Sequence, residues 1–224
     1  ADPIATDPDA WNLWLISPTY PVGEDFAAPG LATYEQGDVV YYFNDANNGE
    51  VLNALQQMMN ACNSTYTSGN LMVYSGYRSY RYQNEQYNYY YNLYKEQGLD
   101  DAQAEAEAVK WTPKPGTSEN HTGLAVDFIT NTVLEPSAEF ENTEQFAWLR
   151  DNCVSYGFIL RYPADKYAIT GVEYKPYHFR YVGVEAAQTI SQMGITLEEY
   201  VGKAPVGGIP VQPESVAGEG EQTP

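Results

Sequence analysis

Pro115-Gly116-Thr117-Ser118-Glu119-Asn120-His121-Thr122-Gly123-Leu124-Ala125-Val126-Asp127 is the stretch whose reading decides the fold. Its end runs into a short apolar segment, Leu124 to Ile129, which has the length and composition of a strand. The residues before it include Gly and Thr and can bend. Between the bend and the strand stand one of the chain's 2 histidines, His121, and the best-placed carboxylate, Asp127. In an extended segment neighbouring side chains point to opposite faces, so Asn120 and His121 are expected to diverge.

Around this stretch, apolar spacing and breakers divide the chain into short strands and helices. Trp11 to Ile16 reads as a short strand ended by Ser17-Pro18, Leu71 to Tyr74 as a strand, and Val51 to Cys62 as a helix with apolar residues at helical spacing. Ser79 to Gln97 reads as a long helix stopping at Gly98, and Ala102 to Lys110 as a helix capped by Asp100 or Asp101. Thr143 to Tyr156 is a helix closed by Gly157. Phe158 to Tyr162 and His178 to Val182 are strands, Val184 to Met193 is a helix, and Thr196 to Tyr200 is a helical turn. The elements mix without regular βαβ alternation, which predicts an α+β domain with a small, mainly antiparallel sheet and surrounding helices. The expected organisation is a flexible lead-in over 1–10, one domain over 11–201, and a disordered Gly/Pro/Glu-rich tail over 202–224.

The 224 residues suffice for one domain with a real core, and 43% hydrophobic content is ordinary. The formal net charge of -19 repels phosphate backbones and anionic lipid, so nucleic acid is excluded as a partner. No apolar run is long enough to span a bilayer, and no signal peptide is present, so no direct membrane insertion is expected of what reads as a mature or trimmed chain. The 21 tyrosines cluster between Tyr74 and Tyr94; such surfaces suit peptide or sugar contacts, although half-buried tyrosines are the commoner explanation. Cys62 and Cys153 are compatible with one disulfide or with two buried thiols.

A catalytic zinc site needs three protein ligands, an open position for water, and a carboxylate to take the water's proton. Only His121 and His178 offer imidazoles, and Asp127 completes a set too common to identify anything alone. Five blocks of sequence say more. Ser118 to Asp127 resembles the Ser-x-His-x-x-Gly-x-Ala-x-Asp signature of the zinc D-alanyl-D-alanine carboxypeptidases of the VanY type. Trp11 to Ile16 resembles that family's opening strand, and Ser75-Gly76-Tyr77-Arg78-Ser79 with Gln83 resembles its Ser-Gly-Tyr-Arg-Ser-x-x-x-Gln block. Gly157 to Pro163 with Ile169-Thr170-Gly171, and Lys175-Pro176-Tyr177-His178-Phe179-Arg180-Tyr181-Val182-Gly183, resemble two more, the latter close to Glu-Pro-Trp-His-x-Arg-Tyr-Val-Gly.

The resemblance implies the fold shared by these peptidases and the hedgehog signalling domains, and a protein working outside the cell or at the cell envelope of a bacterium. It implies Asp127 and His178 as metal ligands, Arg78 as the group that binds substrate or the developing oxyanion, and Ser79, Gln83, Ser118 and Tyr177 as cleft residues. Two positions depart from it. Asn120 stands where the first ligand histidine belongs, with His121 one residue late, and Lys175 stands at the general-base glutamate. An amide is a poor zinc ligand, and a charged lysine cannot take a proton and repels a metal. The expectation is therefore a catalytically inactive carboxypeptidase-like domain, with no zinc or weakly held zinc, that binds a peptidoglycan stem peptide or a protein partner in the former active-site cleft. The alternative is an active zinc D,D- or L,D-carboxypeptidase with a metal site rearranged around His121, Asp127 and His178.

Overall fold

In the computed structural model, which describes residues 8–66 and 69–203, two antiparallel sheets are wrapped by helices. A hairpin of β1 (Leu31–Gln36) and β2 (Val39–Asn44) turns at Gly37, which takes φ 61°. The main sheet has four antiparallel strands in the order β3 (Leu71–Ser75), β4 (Ala125–Thr130), β6 (His178–Tyr181), β5 (Phe158–Leu160). The α+β reading with a small antiparallel sheet holds. Of the lead-in expected over 1–10 and the tail expected over 202–224, residues 1–7 and 204–224 lie outside the described residues.

Helix α1 (Ala46–Thr65) buries Val51, Leu55, Met58, Met59 and Cys62 in the core it shares with Val73, Val126, Phe128 and Phe179 of the sheet. Each side chain of this size contributes roughly 1.5–3 kcal/mol on burial. The first turn is not right-handed helix: Asn47, Asn48 and Gly49 all have positive φ, a conformation that Asn and Gly tolerate best. Regular helix therefore starts close to Val51, where the apolar spacing begins. Helices α2 (Tyr80–Glu96) and α3 (Asp101–Trp111) form an antiparallel pair. Ser79 caps α2, and an Asp100–Gln103 capping box starts α3. The remaining helices are α4 (Glu144–Asn152), the single turn α5 (Tyr167–Thr170), α6 (Val184–Met193) and the single turn α7 (Leu197–Tyr200). Among the described residues, no helix is long and apolar enough to cross a membrane.

Two expectations are corrected. Trp11 to Ile16 is not a strand: Pro8–Leu13 forms 3-10 helix and Trp14 to Ile16 is irregular. Its carbonyls are satisfied by a guanidinium instead of a sheet ladder, since Arg180 Nη2 donates to Asn12 O and Trp14 O. The helix expected from Thr143 to Tyr156 tightens into 3-10 turn at Cys153 before Gly157 closes it at φ 81°. The β1–β2 hairpin was missed altogether. Both cysteines are buried free thiols, and burial pushes Cys62 up to about 11 and Cys153 up to about 12.

Register places the chemistry. Ser75 on β3 pairs with Asp127 on β4, and Asp127 pairs with His178 on β6, so three polar side chains sit abreast across the sheet. A bulge between Val73 and Ser75 produces the first pairing. Gly123, at φ 69°, ends the turn before β4, and a Cβ there would come 2.7 Å from the backbone N of Asn44. That close approach lets Asn44 N donate to Gly123 O and Asn44 Nδ2 to Thr122 O, locking the hairpin onto the site loop.

Candidate active-site cleft

Above these three strands lies a cleft of about 320 Å³, within the size range of ligand sites. Arg78, Ser118, Asn120, Asp127, Lys175, Tyr177 and His178 are among the residues that line it. Ser79 and Gln83 are not among the lining residues. The Ser79 hydroxyl accepts from Tyr82 N to cap α2. Gln83 is buried, and its Nε2 donates to Thr112 Oγ1 and Pro113 O, tying α2 to the end of α3.

Asp127 receives His178 Nδ1 at 2.6 Å on one oxygen and Arg78 Nη2 at 3.3 Å on the other. Arg78 is fixed in turn by donating from Nε to Ser75 Oγ. Burial raises the Asp127 pKa, but His178, Arg78 and Lys175 outweigh it and hold the carboxyl below its ordinary value. The other nitrogen of His178, Nε2, faces Glu119 Oε2 at 3.1 Å. Burial opposes a charge on this imidazole, yet the two carboxylates raise its pKa above the ordinary value. The ring stacks on Tyr162, with centroids 5.0 Å apart.

Glu119 belongs to a buried ion network that went unnoticed in the sequence. Arg161 Nε and Arg180 Nη1 both donate to its Oε1 at 2.7 Å, and Arg161 holds Glu198 with two further bonds. Burial alone would raise the Glu119 pKa; the two guanidiniums and His178 overcome it and depress it well below the carboxylate range. The available signal was an arginine at the end or in the middle of a short apolar strand, at Arg161 and Arg180.

The segment is not extended as expected: Glu119–Thr122 forms a 3-10 turn that Gly123 ends. This turn, not strand alternation, sends Asn120 and His121 to different partners, where both act as straps. Asn120 Nδ2 donates to Gly76 O, and its Oδ1 accepts from Ser118 Oγ. His121 Nε2 accepts from Gly116 N, which leaves Nδ1 to donate to Arg78 O at 2.7 Å. Burial lowers the His121 pKa, so this neutral tautomer is the favoured form. Both His121 nitrogens are thus engaged away from Asp127 and His178. Lys175 is half-buried, and its Nζ lies 5.8 Å from the centre of the Tyr162 ring. It makes no side-chain hydrogen bond or ion pair among the described residues. Burial lowers its pKa, with Arg78 acting in the same sense and Asp127 and Glu119 against it.

No group of three His, Cys, Asp or Glu among the described residues is placed to hold a metal ion. His178 and Asp127 face each other, the third position offers an amide already bonded to Gly76, and an ammonium lines the same wall. The residues as arranged do not fit a zinc ion.

Comparison with known proteins agrees with the sequence resemblance. Residues 45–184, more than half the chain, match the family described as VanY, D-alanyl-D-alanine carboxypeptidase. A D-alanyl-D-alanine carboxypeptidase of Enterococcus faecalis is 45% identical over 130 residues, covering 58% of this chain and 47% of the relative, so the match spans about half of that protein's length. A vancomycin-resistance D,D-pentapeptidase VanY variant solved in complex with Zn(II) superposes with a TM-score of 0.68 at 34% identity, covering 85% of this chain and 99% of that one. The LdcB LD-carboxypeptidase, solved to reveal the basis of peptidoglycan recognition, gives 0.72 at 31% identity over 89% of each chain. The chain belongs to the VanY family of D-alanyl-D-alanine carboxypeptidases.

Proposed function

We propose that this VanY-family domain binds the carboxyl end of a peptidoglycan stem peptide at the cell envelope without hydrolysing it. Lys175 carries the reading. Its ammonium lines the cleft with Asp127 and His178 and has donors free for a ligand. Arg78 lines the same wall. A peptide's terminal carboxylate is the anion that two such cations suit, and charge-assisted bonds of this kind are the strong ones. The same ammonium cannot take a proton from an attacking water while charged. Asn120, engaged with Gly76, offers no third imidazole. In this reading Lys175 and Arg78 hold the carboxylate, Ser118 and Tyr177 border it, and the Glu119 network keeps His178 in place.

A second reading has specific support. The relatives are named as carboxypeptidases, and one was solved with Zn(II), so the comparisons taken alone favour an active zinc D,D- or L,D-carboxypeptidase. That enzyme requires His121 to leave Arg78 O and Gly116 N and to join Asp127 and His178.

Metal analysis, D-alanine release and calorimetry with a synthetic stem peptide separate the two. Our reading expects no stoichiometric zinc, no released D-alanine, and binding weakened roughly ten- to a hundredfold by Lys175→Met or by amidating the peptide's carboxyl end, the range for a hydrogen bond to a charged group. It also expects the double variant Asn120→His with Lys175→Glu to gain zinc. Stoichiometric zinc in the unmodified protein, lost in His121→Ala and accompanied by D-alanine release, overturns it.

A further inference from the structure

One wall of the cleft is built by a stripe along α2. Arg78, just before the helix, is followed at intervals of four residues by Tyr82, Gln86 and Tyr90, and all four line the cleft. Such spacing puts side chains above one another on one helix face. The stripe ends at Trp111, the last residue of α3, which also lines the cleft and is 65% exposed. A tryptophan that exposed is normally mobile. Here one indole face stacks on Tyr90 at 5.9 Å and 7°, and Nε1 donates to Tyr94 Oη at 2.6 Å. The ring is therefore held in one orientation, with its other face open to a ligand. Little side-chain entropy remains to be lost on binding.

From these features we infer that the Tyr82–Tyr90–Trp111 platform is a saccharide subsite, which takes the neutral amino sugar joined to the amino end of the stem peptide. The inference rests on the stem-peptide reading of the inner cleft and extends it outward. Length supports it. From Ser79 to Tyr90 the helix rises about 16 Å at 1.5 Å per residue. An extended peptide of about five residues spans roughly the same distance. A peptide anchored by its carboxylate at Arg78 and Lys175 and lying along α2 therefore delivers its amino end to Tyr90 and Trp111.

Chemistry selects the sugar. Aromatic faces rimmed by hydroxyl and amide groups pair with the C–H faces and hydroxyls of a pyranose, and Tyr82, Gln86 and Tyr90 supply such a rim. Glu135 also lines the cleft, and the chain's net charge is -19, so an anionic polymer is repelled while a neutral sugar is not.

Three ligands and two variants test this by calorimetry: the free stem peptide, the same peptide joined to its amino sugar, and the peptide-free disaccharide. The sugar-bearing peptide is expected to bind about tenfold more tightly than the free peptide, the scale of one or two aromatic contacts. That gain should disappear in Trp111→Ala and shrink in Tyr90→Ala, with free-peptide affinity unchanged. Equal affinity for both peptides overturns the subsite and leaves the peptide reading standing. An equal loss for both peptides in Trp111→Ala also overturns it. Disaccharide binding lost in Trp111→Ala, with no binding of free peptide, supports the subsite and removes the peptide reading. Binding of none of the three ends both.

Discussion

Glu119→Gln isolates the buried ion network, because it preserves shape and removes one charge. Glu119, Glu198, Arg161 and Arg180 form a balanced set with side chains 0–3% exposed. Neutralising Glu119 leaves Arg161 with Glu198, but leaves Arg180 with neutral acceptors only, the carbonyls of Asn12, Trp14 and Tyr181 and the amide oxygen at position 119. Breaking a buried pair in this way typically costs about 3–5 kcal/mol, because one buried charge loses its counterion. For a domain of this size, 1 kcal/mol moves the thermal midpoint by roughly 2–4 °C, so a fall of about 6–20 °C is expected. Urea denaturation at neutral pH measures the free energy directly. Glu85→Gln serves as the contrast: its i,i+4 pair with Arg81 is solvent-exposed and is worth about 0.5 kcal/mol or less. If Glu119→Gln costs no more than Glu85→Gln, the network does not hold the sheet to the Trp11–Ile16 segment, and the reasoning fails.

Gly123→Ala forces a Cβ to 2.7 Å from Asn44 N at φ 69°, so a loss of roughly 2 kcal/mol or more is expected in the same denaturation assay, against a change near zero for Gly23→Ala, which has open space. The thiols set an alkaline limit. Folded Cys62 and Cys153 titrate at about 11 and about 12, above their ordinary 9.0, so the folded state binds the proton more tightly. Their stabilisation is complete below pH 9 and declines as pH rises through the folded values, at about 1.4 kcal/mol per pH unit per thiol. Urea titrations from pH 8 to 11 should show a shallower decline in Cys153→Ala than in the unmodified chain. Neither thiol should react with a thiol reagent at pH 8 without denaturant.

The strands and helices expected from Leu71 through Met193 form close to where they were placed. Elements β4 and α6 do so because they bury the apolar face their pattern defines, whereas α2, whose one buried residue is Gln83, rests on its caps. The β1–β2 hairpin escaped notice because its strands are largely exposed. Leu31, Val39, Val40 and Tyr42 face solvent, so the core imposes little apolar alternation on them. Trp11 to Ile16 misled for the opposite reason: an apolar run does not reveal whether its backbone pairs with a strand or with Arg180.

By itself the sequence determined the family, the order of the elements, and the residue types at the decisive positions, Asn120 and Lys175 among them. Those are local facts, written one residue at a time. Only the tertiary structure decided what each side chain does. Strand register set Ser75, Asp127 and His178 abreast. The turn ending at Gly123 directed His121 into a strap. Residues 42 and 61 positions apart from Glu119 converged on its carboxylate. Such contacts are fixed by packing across the chain, and a burial that converts a surface charge into a structural one leaves no mark on its nearest neighbours in sequence.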